Sequence, residues 1–175
     1  MSARADEKRR RVERAVTMHS PALLAYFVRR VEPPDMAADL LADTLLTLWR
    51  RANALPARDE EIRPWMFGIA RNILLHHRRS AARRHALAER LRRQLCTEPR
   101  PGFADAPTFD ELHDALRALG ETDRDIITLL HWDGLSLEEI AGVLRLKSAT
   151  VRSRYHRARE RLRHQLADAY AGDRR

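Results

Sequence analysis

The stretch Leu119–Leu166, LGETDRDIITLLHWDGLSLEEIAGVLRLKSATVRSRYHRARERLRHQL, decides the fold. Ser136 is a hydroxyl able to cap the free amides of a helix, and Glu139, three residues later, completes a capping box. These residues predict one helix at about 136–144. After a short break, Ser148 offers a second capping hydroxyl and starts a longer helical pattern. The spacing is typical of a helix-turn-helix.

When the residues of the longer helix are placed at the helical period, the apolar and the polar residues fall on different faces. Its apolar stripe must face the preceding helices and consists of Val151, Tyr155, Ala158, Leu162 and Leu166. The remaining faces are polar and mostly cationic, and they carry Arg152, Ser153, Arg154, His156, Arg157, Arg159, Glu160, Arg161, Arg163 and His164. Such a helix fits a DNA major groove, where residues near its N-terminus meet base edges and flanking cations meet phosphates. The alternative is an arginine-rich helix that only faces solvent, but the preceding capped helix and turn favour groove binding.

Composition points to a polyanionic partner. The chain has 175 residues, 33 Lys+Arg against 25 Asp+Glu, and a net charge of +8. Cys96 is the single cysteine, so we expect neither an internal disulfide nor a zinc knuckle. The charged N-terminus and the lack of a long apolar run predict neither a signal peptide nor a membrane span. We therefore expect a soluble protein of the reducing cytoplasm.

The first half of the chain also reads as helical. A surface helix at about 6–18 precedes a helix that the pair Ser20-Pro21 is predicted to restart. Another helix has apolar residues at helical intervals, namely Met36, Leu40, Leu41, Leu45, Leu48 and Trp49. A loop at 51–61 separates it from a helix over about 62–84.

Two residue pairs invite a metal or acid–base interpretation. Asp39 and Asp43 lie along one side of a helix, but no histidine joins them, which favours a solvated or protein-binding edge. His76 and His77 are adjacent, so they point about 100° apart on a helix, and no carboxylate or cysteine lies at a fitting offset. We therefore predict no metal, no cofactor and no catalytic site.

The 62–84 helix combines aromatic with cationic residues, and this combination suits a protein that holds unstacked bases and tracks a phosphate backbone. Trp65 and Phe67, taken singly, fit core positions better than base-stacking positions. Prolines and a glycine between residues 99 and 107 predict an extended connector. The fold class is therefore predicted to be all-α, with two small helical domains at 1–94 and 110–175 joined by a flexible linker at 95–109.

With both halves in view, the chain resembles the bacterial RNA polymerase sigma factors, specifically the extracytoplasmic-function group, whose members have two helical domains called region two and region four. DMAADLLADTLLTLWRR, at 35–51, resembles the helix that docks on polymerase, although Ala42 replaces the usual glutamine. The resemblance implies polymerase contacts for Asp39, Leu40, Asp43 and Trp49. PWMFGIARN, at 64–72, resembles the segment that melts and holds the minus-ten promoter element. It implies minus-ten DNA contacts for Trp65, Arg71, Asn72, Arg78 and Arg79, and it places the loop at 53–61 where family members hold a flipped-out base.

The second half, GLSLEEIAGVLRLKSATVRSRYHRARERL at 134–162, is similar to the family's minus-thirty-five reader. The resemblance implies DNA contacts for Lys147, Thr150, Arg152, Ser153, His156 and Arg157. Arg145 and Ala149 stand where glycine is usual. Arg145 either strains the turn, if the turn needs a positive backbone angle, or contacts phosphate.

The sequence thus predicts a sigma factor, not an enzyme, that directs promoter-specific initiation by reading the minus-thirty-five element and melting the minus-ten element. The implied partners are core RNA polymerase, through its beta-prime clamp and beta flap, promoter DNA and an anti-sigma factor, with no membrane insertion and no small-molecule substrate. One alternative is a dimeric helix-turn-helix regulator that acts without polymerase. Another is a nucleic-acid enzyme built on Asp39 and Asp43. The regulator has no reason to carry a docking helix followed by an aromatic, basic one. The enzyme would need a convergent set of acid, base or metal-binding residues, and the sequence offers only the isolated pair Asp39 and Asp43.

Overall fold

The computed structural model describes residues 3–95 and 111–172. Within these residues the chain is all-helical, as predicted, with no strand. The α-helices are α1 (Ala3–Val28), α2 (Met36–Arg50), α3 (Ile62–Leu95), α4 (Glu111–Ala118), α5 (Glu121–His131), α6 (Leu137–Leu144) and α7 (Ser148–Gly172). The loop between α2 and α3 contains two short 3₁₀ turns, Ala52–Ala54 and Asp59–Glu61. The linker predicted at 95–109 lies almost entirely outside the described residues.

The predicted break at Ser20-Pro21 is wrong, because α1 continues through it. The hydroxyl of Ser20 donates to the carbonyl oxygen of Val16 at 2.6 Å, so Ser20 lies inside the helix and does not cap a new one. An interior proline removes one backbone hydrogen bond and costs about 3 kcal/mol. The buried residues on both sides of Pro21 offset this cost, since one continuous helix buries Val12, Ala15, Leu23, Tyr26 and Phe27 together.

The largest hydrophobic core is shared by the two halves of the chain. Helices α1, α2 and α3 contribute Leu23, Phe27, Leu40, Leu48, Met66, Phe67 and Leu74. Helices α5, α6 and α7 and the turn before α6 contribute Ile126, Leu129, Leu135, Ile140, Val143 and Val151. A smaller cluster of Leu116, Leu119, Ile127 and Ala158 fixes α4 and α7 to α5. The halves that the sequence divides into two domains therefore pack directly on each other.

A glycine allows α3 to approach α6 closely. A Cβ atom at Gly68 would lie 3.9 Å from the Cα of Val143, so the two backbones come nearly into contact there. Phe67, the preceding residue, is fully buried, which assigns it to the core.

The first helix of the helix-turn-helix begins as its capping residues predict. The N–H of Glu139 donates to the Ser136 hydroxyl at 3.2 Å, and the Glu139 carboxylate accepts from the N–H of Ser136 at 2.7 Å. This capping box starts α6, and α7 begins at Ser148. Each capping bond satisfies an amide that has no partner within the helix.

Arg145 adopts the left-handed conformation that the turn requires, with φ 54° and ψ 44°. It ends α6, and the N–H of the following Leu146 donates to the Ala141 carbonyl at 3.0 Å. In this conformation the Cβ of an L-residue crowds its own backbone, whereas glycine has no Cβ. The turn is therefore strained at Arg145.

Arg145→Gly is expected to raise the free energy of unfolding by about 1 kcal/mol, because it removes the Cβ from a positive-φ position. Urea unfolding followed by circular dichroism measures the change. Arg145→Ala is the matched control, since alanine loses the charge but keeps the Cβ. Equal stabilisation by both substitutions would show that the charge of Arg145, not its backbone conformation, is the source of the cost.

Candidate nucleic-acid interface

The six residues predicted to contact the minus-thirty-five element all lie exposed on α7 or immediately before it: Lys147, Thr150, Arg152, Ser153, His156 and Arg157. The opposite stripe of α7 is buried through Val151 and Ala158. Arg152 donates to the Glu138 carboxylate at 3.0 Å, but both side chains are exposed, so the pair is weak and a phosphate or base can replace the carboxylate. The face that the sequence assigns to DNA is therefore accessible.

Two arginines of α7, Arg154 and Arg161, pair with a buried carboxylate although their side chains remain partly exposed. Arg154 donates to Asp123 at 2.7 Å, and Arg161 lies 3.6 Å from the other oxygen of the same carboxylate. Asp123 is buried on α5, so these pairs hold α7 against α5. Helical periodicity predicts both arginines on the basic faces of α7, because it does not reveal a carboxylate that lies 31 residues upstream of Arg154.

A groove of about 590 Å³ lies where the minus-ten bases are predicted to bind. One wall is formed by the loop and α3, through residues that include Pro56, Trp65 and Asn72. The other wall is α6, through Glu138, Glu139, Gly142 and Val143. Trp65 is half-buried against the core, so one part of its ring remains available to the groove.

The five predicted minus-ten residues divide into two groups in the structure. Asn72 and Arg79 are exposed, and Trp65 lines the groove. Arg71 instead donates to Asp125 of α5 at 2.7 Å in a largely buried pair. Arg78 lies 3.7 Å from Glu121, also on α5, and donates to the carbonyl oxygen of Arg30 at 3.4 Å. The second half of the chain thus covers part of the predicted minus-ten surface.

The most buried ion pairs between the halves converge on the turn between α5 and α6. The carboxylate of Asp133 is fully buried and accepts from Arg29 and, at 2.7 Å, from Arg30. Arg30 also donates to the Thr128 hydroxyl at 2.8 Å. Arg63 of α3 donates to the backbone carbonyl of Asp133 and, at 3.1 Å, to that of Gly134. We call Arg29, Arg30, Arg63 and Asp133 the inter-half cluster.

Sequence reasoning missed the inter-half cluster. Arg30 and Asp133 are separated by 103 residues, and the Asp-Gly pair reads only as a turn. The cluster has no local signal, since its members come from the turn after α1, from α3 and from the turn before α6, which the sequence assigns to different domains.

Burial also changes two pKa values near the inter-half cluster. It raises the pKa of the Tyr26 phenol, whose ring packs beneath the Arg30 guanidinium at 4.0 Å, so this tyrosine stays protonated. Partial burial, with a smaller contribution from the Arg63 charge, lowers the pKa of His19 below 6.5. The unfolded chain therefore takes up a proton at His19 more readily, and this histidine lowers stability as the pH falls below about 6.5.

The predicted polymerase-docking residues lie on α2, and three of the four are accessible. Asp39 and Asp43 are exposed, and Trp49 is 45% exposed with the Arg9 guanidinium 5.2 Å from its ring centroid. Leu40 is only 4% exposed and belongs to the core. In residues 3–95 and 111–172, no group of three or more His, Cys, Asp or Glu residues is placed to hold a metal ion.

Comparison with known proteins agrees with this geometry. The family profile of sigma-70 region 2 matches residues 15–84, and that of sigma-70 region 4 matches residues 109–162. The chain is 30% identical over 155 residues to the RNA polymerase sigma-E factor of Streptomyces coelicolor, covering 88% of this chain and 85% of that protein. The chain belongs to the extracytoplasmic-function sigma factors of the sigma-70 family.

Two further relatives of this sigma factor are named as ECF RNA polymerase sigma factors. It is 29% identical over 154 residues to the ECF RNA polymerase sigma factor SigL of Mycobacterium tuberculosis, covering 83% of this chain and 82% of SigL. It is 35% identical over 136 residues to the ECF RNA polymerase sigma factor SigE of Mycolicibacterium smegmatis, covering 75% of this chain and 52% of that protein.

Two solved structures share the fold of this sigma factor. The sigma factor RpoE in complex with the anti-sigma factor NepR from Bartonella quintana matches with a TM-score of 0.67 and 25% identity, covering 89% of this chain and 96% of that one. CnrH in complex with the cytosolic domain of CnrY matches with a TM-score of 0.61 and 26% identity, covering 90% of this chain and 88% of that one.

The family membership confirms the predicted function class. The sigma factor acts with RNA polymerase in promoter-specific transcription initiation, and the two matched regions make the dimeric regulator the less favoured alternative. Its family consists of initiation subunits that are not enzymes. None of the described helices is sufficiently long and apolar to cross a membrane.

Proposed function

We propose that this sigma factor reads the minus-thirty-five element with the first half of α7 and holds the melted minus-ten element between α3 and the 51–61 loop. The observation that carries the proposal is the outer face of α7. All six residues implied by the resemblance lie exposed there or just before the helix, while the opposite stripe is buried. Arg152 and Arg157 lie in the first half of α7, the part with which a recognition helix meets base edges, and their planar guanidinium groups can each donate twice to guanine.

Docking on core polymerase is assigned to the exposed edge of α2, with Asp39 and Asp43 as charged contacts and Trp49 as the apolar one. Leu40 supports docking from within the core, where it fixes the orientation of α2. By family analogy the partner surface of α2 is the beta-prime clamp, and that of the 110–175 domain is the beta flap.

The minus-ten site is assigned to Trp65, Asn72 and Arg79, together with Arg71 and Arg78 once their carboxylate partners have moved away. Extruding and holding a base costs a few kcal/mol, which stacking on an aromatic ring and contacts in a pocket can offset. Melting therefore needs no nucleotide hydrolysis.

The sigma factor has to open before it can engage a promoter. The minus-ten and minus-thirty-five elements lie about 25 base pairs apart, or roughly 85 Å along the duplex. A compact chain of this size has a radius of gyration of about 16 Å. Glu138 and Glu139 of α6 also wall the groove, and their negative charges oppose a DNA strand. When the two halves separate, they can reach both promoter elements at once. The same separation uncovers the groove.

We assign residues 1–94 and 110–175 as the two moving bodies and 95–109 as the linker, supported by the separate matches of the two family regions. The protein acts in the cytoplasm, where core polymerase works, and it has no catalytic activity of its own. An anti-sigma factor is proposed as a further partner, since the structural neighbour RpoE was solved in complex with the anti-sigma factor NepR.

Run-off transcription with core polymerase and a library of promoter fragments tests the proposal. The expected result is transcription that requires both proteins and selects fragments sharing two elements at a fixed spacing. Binding of duplex promoter by a stoichiometric dimer in the absence of polymerase would instead establish the alternative regulator. Nuclease activity that disappears on substitution of Asp39 or Asp43 would establish an enzyme.

A further inference from the structure

The first turns of α1 reach the loop between α2 and α3. Residues 3–14 precede the region-2 match, which begins at residue 15, yet Val12 is buried in this segment. Its neighbour Arg11 extends towards the 51–61 loop, which lies more than 40 residues downstream. The segment upstream of the family match therefore contacts the loop assigned to hold a minus-ten base.

Arg11 binds three acceptors within four residues of the loop. Its Nη2 donates to the carbonyl oxygens of Pro56 and Ala57, both at 3.0 Å, and to the carboxylate of Asp59 at 2.7 Å. The Arg11 side chain is 24% exposed, whereas that of Asp59 is 78% exposed. Because two of the three acceptors are backbone carbonyls, Arg11 fixes the path of the main chain and not only one side chain.

The ends of the loop are closed by its own backbone. The N–H of Leu55 donates to the Ala52 carbonyl at 3.3 Å, and the N–H of Glu61 donates to the Arg58 carbonyl at 3.2 Å. Arg11 holds the middle of the loop, at Pro56 and Ala57, between these two turns. Pro56 also lines the groove that Trp65 and Asn72 share, so the segment that Arg11 holds forms part of the groove wall.

We propose that Arg11 is a positioning residue for minus-ten recognition, which holds the 51–61 loop in the conformation that accepts one unpaired base and rejects the others. This inference rests on the proposed role of the loop. Discrimination between bases requires hydrogen-bond donors and acceptors that are held at fixed places. If a flexible loop has to become ordered when a base binds, the entropic cost weakens the binding of every base by a similar amount. Arg11 has already ordered the loop in the free protein.

The test compares promoters that differ at a single minus-ten base, using the 175-residue chain bound to core polymerase. For each variant, the ratio of transcripts from the preferred and the substituted promoter is measured in one reaction. Arg11→Ala is expected to lower this ratio about five- to tenfold, which corresponds to the net contribution of one typical hydrogen bond. Arg11→Lys should recover part of the ratio, because the ammonium group also donates but lacks the planar fork.

Two controls isolate positioning from stability. Arg14→Ala removes the same charge from an exposed site one helical turn along α1, and it should leave the ratio unchanged. The ratio for promoters that differ only at a minus-thirty-five base should also stay constant in Arg11→Ala. If Arg11 had a purely structural role, Arg11→Ala would reduce transcription from both promoters of a pair equally, and the ratios would not change. That result would overturn the inference.

One further variant separates failure of the inference from failure of the loop's proposed role. In this variant residues 53–58 are replaced by glycine and serine. If it lowers the minus-ten ratio while Arg11→Ala does not, the loop holds the base but Arg11 does not position it. If neither variant changes the ratio, the loop does not hold the base, and both proposals are wrong.

Discussion

Asp133→Asn is expected to lower the free energy of unfolding by about 3 kcal/mol and to separate the two halves of the sigma factor. Asparagine keeps the shape of the side chain but removes the charge, so Arg29 and the buried Arg30 are left without their counter-ion. Removing one partner of a buried ion pair is costly because the remaining charge stays desolvated. The expected loss is at the lower end of the range for breaking a buried ion pair, because Arg29 is partly exposed to water.

Two measurements together test this expectation. Urea unfolding gives the loss of stability, and binding of a single-stranded minus-ten oligonucleotide without polymerase reports whether the groove has opened. Binding should tighten, since separation frees Arg71 from Asp125 and removes the acidic wall of α6. Asp114→Asn is the matched control, because Asp114 is 72% exposed and lies 3.8 Å from the exposed Arg117. If Asp133→Asn and Asp114→Asn behave alike, the inter-half cluster does not hold the chain closed.

The double substitution Arg152→Ala, Arg157→Ala is expected to reduce transcription from a promoter that depends on its minus-thirty-five element about a hundredfold. A well-formed contact between arginine and guanine contributes about 1 to 3 kcal/mol of discrimination, and two such contacts give an effect of this size. Both side chains are exposed and make only weak contacts in the free protein, so the substitutions should leave the fold intact.

Run-off transcription from two promoters, one with its minus-thirty-five element scrambled, measures the effect. The double variant should transcribe both promoters at the same low level, because it no longer reads the element. Arg163→Ala is the control, since Arg163 pairs with Glu160 further along α7 and beyond the predicted base contacts. Retention of the wild-type preference for the intact element in the double variant would exclude α7 as the reader.

Local features of the fold could be predicted from the sequence because they depend on neighbouring residues. The capping box at Ser136 and Glu139 forms as predicted, and the apolar stripe of α7 is buried at Val151 and Ala158. Arg145 also has the positive φ that the missing glycine suggested. In each case the cause lies within a few residues along one helix or turn.

The error at Pro21 and the missed ion pairs have a different origin. Pro21 would normally end a helix, but tertiary burial on both sides outweighs this local preference. The pair between Arg71 and Asp125 joins residues 54 positions apart, and periodicity reports which face of a helix is polar but not which distant group it meets. The sequence therefore identifies Arg71 as a basic surface residue, whereas the structure shows that it is already paired.

The most direct test is the distance between the two halves, measured by double electron–electron resonance on spin labels placed at the exposed positions Ala38 of α2 and His164 of α7 after replacement of Cys96. In the free sigma factor this distance should be short and narrowly distributed. In the complex with core polymerase and promoter it should increase by tens of ångströms. An unchanged distance in the two states would show that the sigma factor engages its promoter without opening.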